Sequence, residues 1–506
     1  MPRDPNPDIY FRTDHLKADL KSRSVRGGAV TMATQLLKFV LNIGSTVILA
    51  RLLTPKDYGL IGMATVVINF VAMFKDMGLS TATIQKAEIT HKQVSTLLWI
   101  NVGVSSGFMV LTAALAPALA WFYDGDSRLI WITLVLASGF IFGGLTTQHQ
   151  ALLSRQMRFT TLAAIDLTSM TISLMTAVIA ALYGAGYWAL VLMQLALRIS
   201  NAAGVWLMCG WRPGPPDLKS GVGSMLAFGG NLTAYSILNY LSRNIDNLLI
   251  GKLWGAQQLG LYAKAYQLLL LPLQQINAPL GSVAVPTLSR LADSPEQFRQ
   301  TYLRILEKLA MLTMPGVALM IATSDWFVSI FLGSQWTDAS RIFALLGITA
   351  LFQPISNSTG WLFTTQGRTS DLLRWGLIGE SLGIVAIIVG LPWGAVGVAT
   401  SYAISGPFLR TPLLYWYVGR AGSVRTSDLY RTIAPAACAS ACVIAALLAF
   451  RRWVQISDPR IGLPIAFAIA LTVTFTVLAA LPAGRRGLRD TKSLLAFLAT
   501  TRKSAK

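Results

Sequence analysis

Fourteen stretches of about 20 or more mostly apolar residues run through this chain, near 27–52, 58–79, 94–121, 129–151, 160–183, 187–209, 222–250, 259–285, 303–331, 340–365, 371–391, 394–418, 429–450 and 462–482. At about 1.5 Å of rise per residue, each is long enough as a helix to cross the roughly 30 Å of hydrocarbon in a bilayer. In hydrocarbon every backbone N–H and C=O must be satisfied by the chain itself, which leaves helices or a closed barrel. A barrel would read as short alternating strands, and these stretches do not alternate. The expected fold is therefore an all-α integral membrane protein with about 14 transmembrane helices. Composition agrees. Of 506 residues 54% are hydrophobic and 13% charged, where soluble proteins carry roughly 25% charged, and the mean hydropathy is +0.55.

The net charge of +20 could suggest nucleic acid, but its distribution argues against that. With the N-terminus inside, the two tails and alternate loops collect about 27 basic residues and the other side about 8, the positive-inside bias. Basicity then records topology and affinity for an anionic inner leaflet, with both termini expected in the cytoplasm. The first 26 residues have no apolar core, so no cleavable signal is expected and the first segment serves for insertion. Cys209, Cys438 and Cys442 fall within or at the end of apolar segments and read as small buried residues, not as a disulfide framework.

The chain also repeats itself. ILARLLTPKDYGLIGMA (48–64) and LIGKLWGAQQLGLYAKA (249–265) share a base (Arg51, Lys252), a Leu and a Gly-Leu pair at an offset of 201. LLSRQMR (152–158) matches LFTTQGR (362–368), and GYWALV (186–191) matches GAVGVA (394–399), at offsets of 210 and 208. Three matches in order at nearly one offset indicate that segments 1–6 correspond to 7–12. Six crossings bring both copies in from the same side, so the repeat is parallel, with segments 13 and 14 added. The expected organisation is a cytoplasmic tail (1–26), an N-lobe (27–209), an inter-lobe loop (210–221), a C-lobe (222–418), two extra helices (419–483) and a basic tail (484–506). Gly59 and Gly260 read as structural, permitting a turn or close packing, and Thr54-Pro55 as a helix start.

ARLLTPKDYGLIGMA, FKDMGLSTATIQ (74–85), SRQMRF (154–159), SRNIDNLLIGKLWGAQQLGLYAKAY (242–266) and VAVPTLSRL (283–291) resemble the polysaccharide-transport branch of the multidrug/oligosaccharidyl-lipid/polysaccharide exporter superfamily. The resemblance runs from about residue 25 to 420. It implies a bacterial inner-membrane flippase for a polyprenyl-pyrophosphate-linked oligosaccharide, supplying lipopolysaccharide or exopolysaccharide synthesis. Its implied partners are that lipid-linked cargo, membrane lipids and polymerase or export proteins, with no cofactor.

An ionisable side chain at the bilayer centre costs roughly 2.5–3.5 kcal/mol, so each one needs a partner or a purpose. Lys75 and Lys308 lie near segment ends, where they can snorkel. Lys38 shares a stripe with Gln35, Asn42 and Ser45, and the repeat maps Asn42 onto Arg243 and Ser45 onto Asp246. The polar stripes of segments 1 and 7 are thus equivalent, as expected for a shared aqueous cleft. Lys38, Asn42, Arg243, Lys264, Arg198 and Arg410 are the candidates for binding a pyrophosphate headgroup, since guanidinium and ammonium groups suit phosphate oxygens. The plainer alternatives are an Arg243–Asp246 pair within the helix and snorkelling of Lys264. Asp166, Asp246 and Glu380 are the candidates for coupling to an ion.

Other chemistry finds no footing. His15, His91 and His149 are scattered without metal spacing, and no phosphate-loop motif is present. NLT at 231 and NST at 357 match glycosylation acceptors by chance. Gly103/Gly107, Gly139/Gly143 and Gly379/Gly383 read as close helix contacts. No nucleophile–base constellation is visible, so an enzyme is not expected. Two alternatives stand beside the flippase. One is a cation-coupled multidrug antiporter, which calls for a carboxylate-lined cavity. The other is a non-transporting scaffold for polysaccharide synthesis.

Overall fold

The computed structural model describes residues 10–11, 20–74, 79–86, 88–217 and 233–490. Arg3, Arg12, His15, Lys17, Lys75, Lys219, the NLT at 231 and the bases beyond 490 lie outside these residues. Every regular element among the described residues is helical. Eleven helical runs are long and apolar enough to cross a membrane by length and composition, against the fourteen expected. The difference has a physical cause. Arg243–Arg290 and Thr369–Gly419 are runs of 48 and 51 residues, each more than about 70 Å of helix and so about two hydrocarbon thicknesses. The segment expected near 58–79 is an 18-residue helix whose first turn carries Lys56 and Asp57, and it does not reach the same apolarity.

By contact the chain divides into two compact units, Met1–Gly260 and Leu261–Lys506. The first contains α1 (Leu20–Leu52), α2 (Pro55–Ala72), α3 (Leu79–Gln85), α4 (His91–Phe122), α5 (Arg128–Arg155), α6 (Phe159–Leu182) and α7 (Tyr187–Cys209). α5 is its centre, touching α2, α3, α4, α6 and α7, while α1 lies on α6. Val94, Leu97 and Leu98 of α4, Leu152 and Leu153 of α5, Ile165 of α6 and Val205 of α7 form one buried cluster with Trp211. The segment after α7 is strapped along the start of α4. Trp211 Nε1 donates to His91 Nδ1 at 3.1 Å, Gly214 N to Ser95 Oγ at 2.9 Å, and Asp217 N to Thr96 Oγ1 at 2.9 Å.

The repeated corners meet each other. In the first, Thr54 caps α2 in a box with Asp57, and Pro55 stands in the first turn. In the second, α8 (Thr233–Arg290) breaks at Gly255, whose φ of 75° and ψ of −179° are open to glycine and strained for other residues. A Cβ on Gly59 would stand 1.7 Å from the Ala256 carbonyl oxygen, and one on Gly260 1.8 Å from that of Pro55. The offset of 201 carries Pro55 to Ala256 and Gly59 to Gly260, so the contact is its own image under the repeat. Nearby, Lys252 Nζ pairs with Asp124 Oδ1 at 2.6 Å and lies 5.5 Å from the Phe122 ring centroid.

The second unit holds the rest of α8, then α9 (Pro295–Ala322), α10 (Ser324–Phe331), α11 (Ala339–Ala350), α12 (Gln353–Thr365), α13 (Thr369–Gly390), α14 (Gly394–Ser405), α15 (Thr411–Gly419), α16 (Thr426–Trp453) and α17 (Pro459–Ala480). A π-helical stretch, Gly406–Arg410, joins α14 to α15. The segment expected at 303–331 is thus two helices, and so is that at 340–365. The pair without a repeat partner, α16 and α17, belongs to this unit. α16 packs along α9 through Leu306, Ala310, Leu429 and Ile433. Arg299 Nη2 and Nε reach Asp428 at 2.7 and 2.8 Å at one end of α16. At the other, Arg451 Nη2 reaches Asp325 at 2.5 Å. Lys308 donates to the Gly487 carbonyl at 2.5 Å. Of the cysteines only Cys209 is buried; Cys438, expected inside, is exposed, because it lies on the face of α16 turned away from α9 and α17.

Candidate transport site

The charged groups that apolar helices carry divide into the paired and the unpaired. α1 and α6 bring Lys38 and Asp166 into an ion pair of 2.5 Å, with side chains 25% and 35% exposed. Asn201 of α7 donates to the other Asp166 oxygen at 3.3 Å, and Gln150 of α5 donates to Asn201 Oδ1 at 2.8 Å. One polar chain therefore ties four helices together. The expected phosphate ligand Lys38 and the expected coupling acid Asp166 are partners, and an incoming anion would compete with Asp166 for the ammonium. A search confined to ionisable residues misses Asn201 and Gln150. Their signal was available: both are amides at the inner halves of apolar segments, and Asn201 stands three residues after Arg198. On the rest of the α1 stripe Gln35 and Asn42 are exposed and Ser45 is half-buried.

Arg198 and Arg410 share an unusual setting. Arg198 of α7 lies across Gly139 of α5, where a Cβ would stand 2.5 Å from Arg198 Cδ. Arg410, at the end of the π-helical stretch, lies across Gly383 of α13, where a Cβ would stand 3.4 Å from its Cζ. Its guanidinium is also 5.3 Å from the Tyr402 ring centroid. Both arginines are half-buried. Among the described residues neither has a hydrogen bond or an ion pair. Of the glycines read as close helix contacts, Gly139 makes room for Arg198, a Cβ on Gly383 would meet Arg410 only at ordinary contact distance, and Gly103 and Gly107 face open space.

The two plainer alternatives give way. Arg243 and Asp246 do not pair, for Asp246 is buried at 6% exposure while Arg243 is exposed. The three-residue spacing puts them on one helix face, but packing takes only the acid inside. Lys264 does not snorkel. It is 7% exposed, and its Nζ donates to Gln267 Oε1 at 2.9 Å. Glu380, half-buried on α13, has no hydrogen bond or ion pair among the described residues. His91 and His149, distant in sequence, both edge onto Trp211, with ring centroids 6.0 and 5.0 Å away. No group of three metal-ligating side chains occurs among the described residues.

Comparison with known proteins places this geometry. A family model described as "Polysaccharide biosynthesis protein" matches residues 48–341. The chain is 29% identical over 308 residues to the teichuronic acid biosynthesis protein TuaB of Bacillus subtilis, covering 60% of this chain and 64% of that protein. It is 25% identical over 393 residues to the lipopolysaccharide biosynthesis protein WzxC of Escherichia coli, covering 76% and 79%. It is 24% identical over 352 residues to the succinoglycan biosynthesis transport protein ExoT of Rhizobium meliloti, covering 68% of each. Among solved structures, the lipid II flippase MurJ in an inward closed conformation aligns with a TM-score of 0.70, covering 90% of this chain and 98% of that one at 13% identity. An inward-facing multidrug resistance MATE transporter aligns at 0.55, covering 80% and 94% at 12% identity. At such identities the structures establish the fold alone. With more than half of its residues inside the family model, the chain belongs to the polysaccharide biosynthesis protein family, an all-helical membrane protein on the fold seen in MurJ and MATE transporters.

Proposed function

We propose that this protein moves a polyprenyl-pyrophosphate-linked oligosaccharide from the cytoplasmic to the periplasmic leaflet for exopolysaccharide or lipopolysaccharide synthesis, by alternating access of its two repeat halves. One observation carries the reading: Arg198, Arg243 and Arg410 stand in membrane helices without a hydrogen bond or ion pair to any described residue. Such a guanidinium is costly where it is, and a pyrophosphate supplies the oxygens that fit its planar fork. A cationic drug carries the same sign of charge as these guanidiniums, and Asp166 is already occupied by Lys38. The relatives carry names from teichuronic acid, lipopolysaccharide and succinoglycan biosynthesis, which supports a glycan cargo.

Glu380 is the coupling acid of this proposal, because of the three candidates it alone stands without a hydrogen bond or ion pair to a described residue. Both termini face the cytoplasm on the strength of the basic tails, and the released cargo passes to a polymerase or export partner. The test is leaflet exposure of a fluorescent polyprenyl-pyrophosphate oligosaccharide in proteoliposomes, with efflux of a cationic dye alongside. Movement of the lipid-linked sugar that falls at least tenfold in the Arg198→Gln, Arg410→Gln double variant is expected. Dye movement without sugar movement would establish the antiporter instead. Unaltered sugar movement in the double variant would remove the arginines from the mechanism.

A further inference from the structure

A second place for an amphiphile lies within residues 261–506, apart from the residues above. α13, α14 and the start of α11 enclose a groove of about 640 Å³, a size ordinary for a ligand site. Its walls are apolar and open sideways: Val385, Val389, Ile404 and Phe408 are each more than half exposed. The π-helical stretch shapes the deep end, turning Phe408 and Leu409 into the lining while Arg410 stays out of it. Such stretches recur at functional sites. Arg341 is the only charged residue in the lining. It is exposed and has no hydrogen bond or ion pair to any described residue.

Register fixes the depth of that charge. Thr349 Oγ1 donates to the Tyr402 carbonyl at 2.8 Å, and Arg341 lies eight residues earlier on α11, roughly 12 Å nearer the helix start. That level is the α13–α14 hairpin, where Trp393 is 71% exposed. Tryptophan and arginine at one end, with hydrocarbon-facing side chains beyond, mark the boundary between lipid headgroups and acyl chains. Ser401 stands beside Tyr402, roughly 12 Å beyond that level, and its hydroxyl is not bonded to any described residue.

We propose that this groove binds one anionic glycerophospholipid of the surrounding leaflet, with its phosphate on Arg341 and an acyl chain along Val385, Val389 and Phe408. A single guanidinium without a bond to any described residue matches the single charge of a phosphodiester, and the apolar walls below it suit an acyl chain. The inference does not depend on the cargo. The test is native mass spectrometry of the purified full chain in detergent, titrated with phosphatidylglycerol or phosphatidylcholine. The unaltered protein retains one phosphatidylglycerol in preference. Arg341→Gln weakens that retention roughly tenfold, to the level of phosphatidylcholine, and Arg341→Lys keeps most of it. Val389→Trp fills the groove and removes both lipids, with Ser401→Phe as a second filling should the first not fold. An undiminished preference in Arg341→Gln, or full retention in the filled variants, overturns the proposal. Displacement of the bound lipid by equimolar polyprenyl phosphate would give the groove to the carrier and overturn it equally.

Discussion

The reciprocal corners make a sharp prediction. Replacing Gly59 by Ala puts a Cβ 1.7 Å from the Ala256 carbonyl oxygen, whereas ordinary contact begins at 3.4 Å. The atom it meets is backbone, so no rotamer change relieves the clash, and the corners must part by about 1.7 Å. Overpacking of this kind costs roughly 1–3 kcal/mol. If the corners touch in one transport state and separate in another, that cost moves the equilibrium between states about 5- to 150-fold. The assay is labelling of Leu53→Cys, a residue 2% exposed beside the corner, in a background where Cys209, Cys438 and Cys442 are replaced. Labelling by an impermeant maleimide should accelerate within that range in Gly59→Ala and equally in Gly260→Ala. The double variant should show less than the product of the two, since a single parting relieves both clashes. Labelling at the unaltered rate in both single variants, with unaltered thermal midpoints, would refute the interlock.

Three smaller predictions follow from single contacts. Asp428→Asn should lower the thermal midpoint in detergent by the equivalent of about 2 kcal/mol, because it breaks the two-bond clamp from Arg299 that holds the start of α16; no loss would mean that α16 is held by its apolar face alone. Thr112→Val should raise the midpoint by the equivalent of about 1 kcal/mol, since the Thr112 hydroxyl is fully buried without a hydrogen-bond partner among the described residues; a fall would show that the hydroxyl is satisfied in the membrane. In a double-mutant cycle of Lys38→Met and Asp166→Leu, the coupling energy should exceed about 0.5 kcal/mol, the lower bound for residues in direct contact.

Much of the fold was legible because hydrocarbon leaves so few solutions. Apolar runs of helical length gave the class, and Thr54-Pro55 gave a helix start that the structure caps as expected. The number of crossings was less legible, since a break such as Gly255 is a matter of one φ angle and leaves a long apolar run uninterrupted. For the candidate residues, the sequence did not announce their company. Lys38 and Asp166 lie 128 positions apart, and nothing local announces that α1 and α6 pack together. The same limit hid the seating of Arg198 over Gly139, where glycine spacing read as helix contact. The alternative of an Arg243–Asp246 pair failed for the opposite reason: the spacing permitted it, and burial of Asp246 without Arg243 decided against it.

Arg198, with no hydrogen bond or ion pair among the described residues, carries a consequence that separates function from architecture. A half-buried guanidinium with no partner lowers the stability of the empty protein by about 1–3 kcal/mol relative to a satisfied group. A residue retained only for packing should not impose that penalty, whereas a phosphate ligand does so until its cargo arrives. Arg198→Gln should therefore raise the thermal midpoint of the empty protein, because the amide is neutral and shorter and Gly139 leaves room for it. The same substitution should reduce movement of the lipid-linked oligosaccharide and abolish the stabilisation that inorganic pyrophosphate gives the unaltered protein. A structural role predicts the reverse, with midpoint and transport falling together and pyrophosphate indifferent. Opposed signs for stability and transport are the expected mark of a site held ready for an anion.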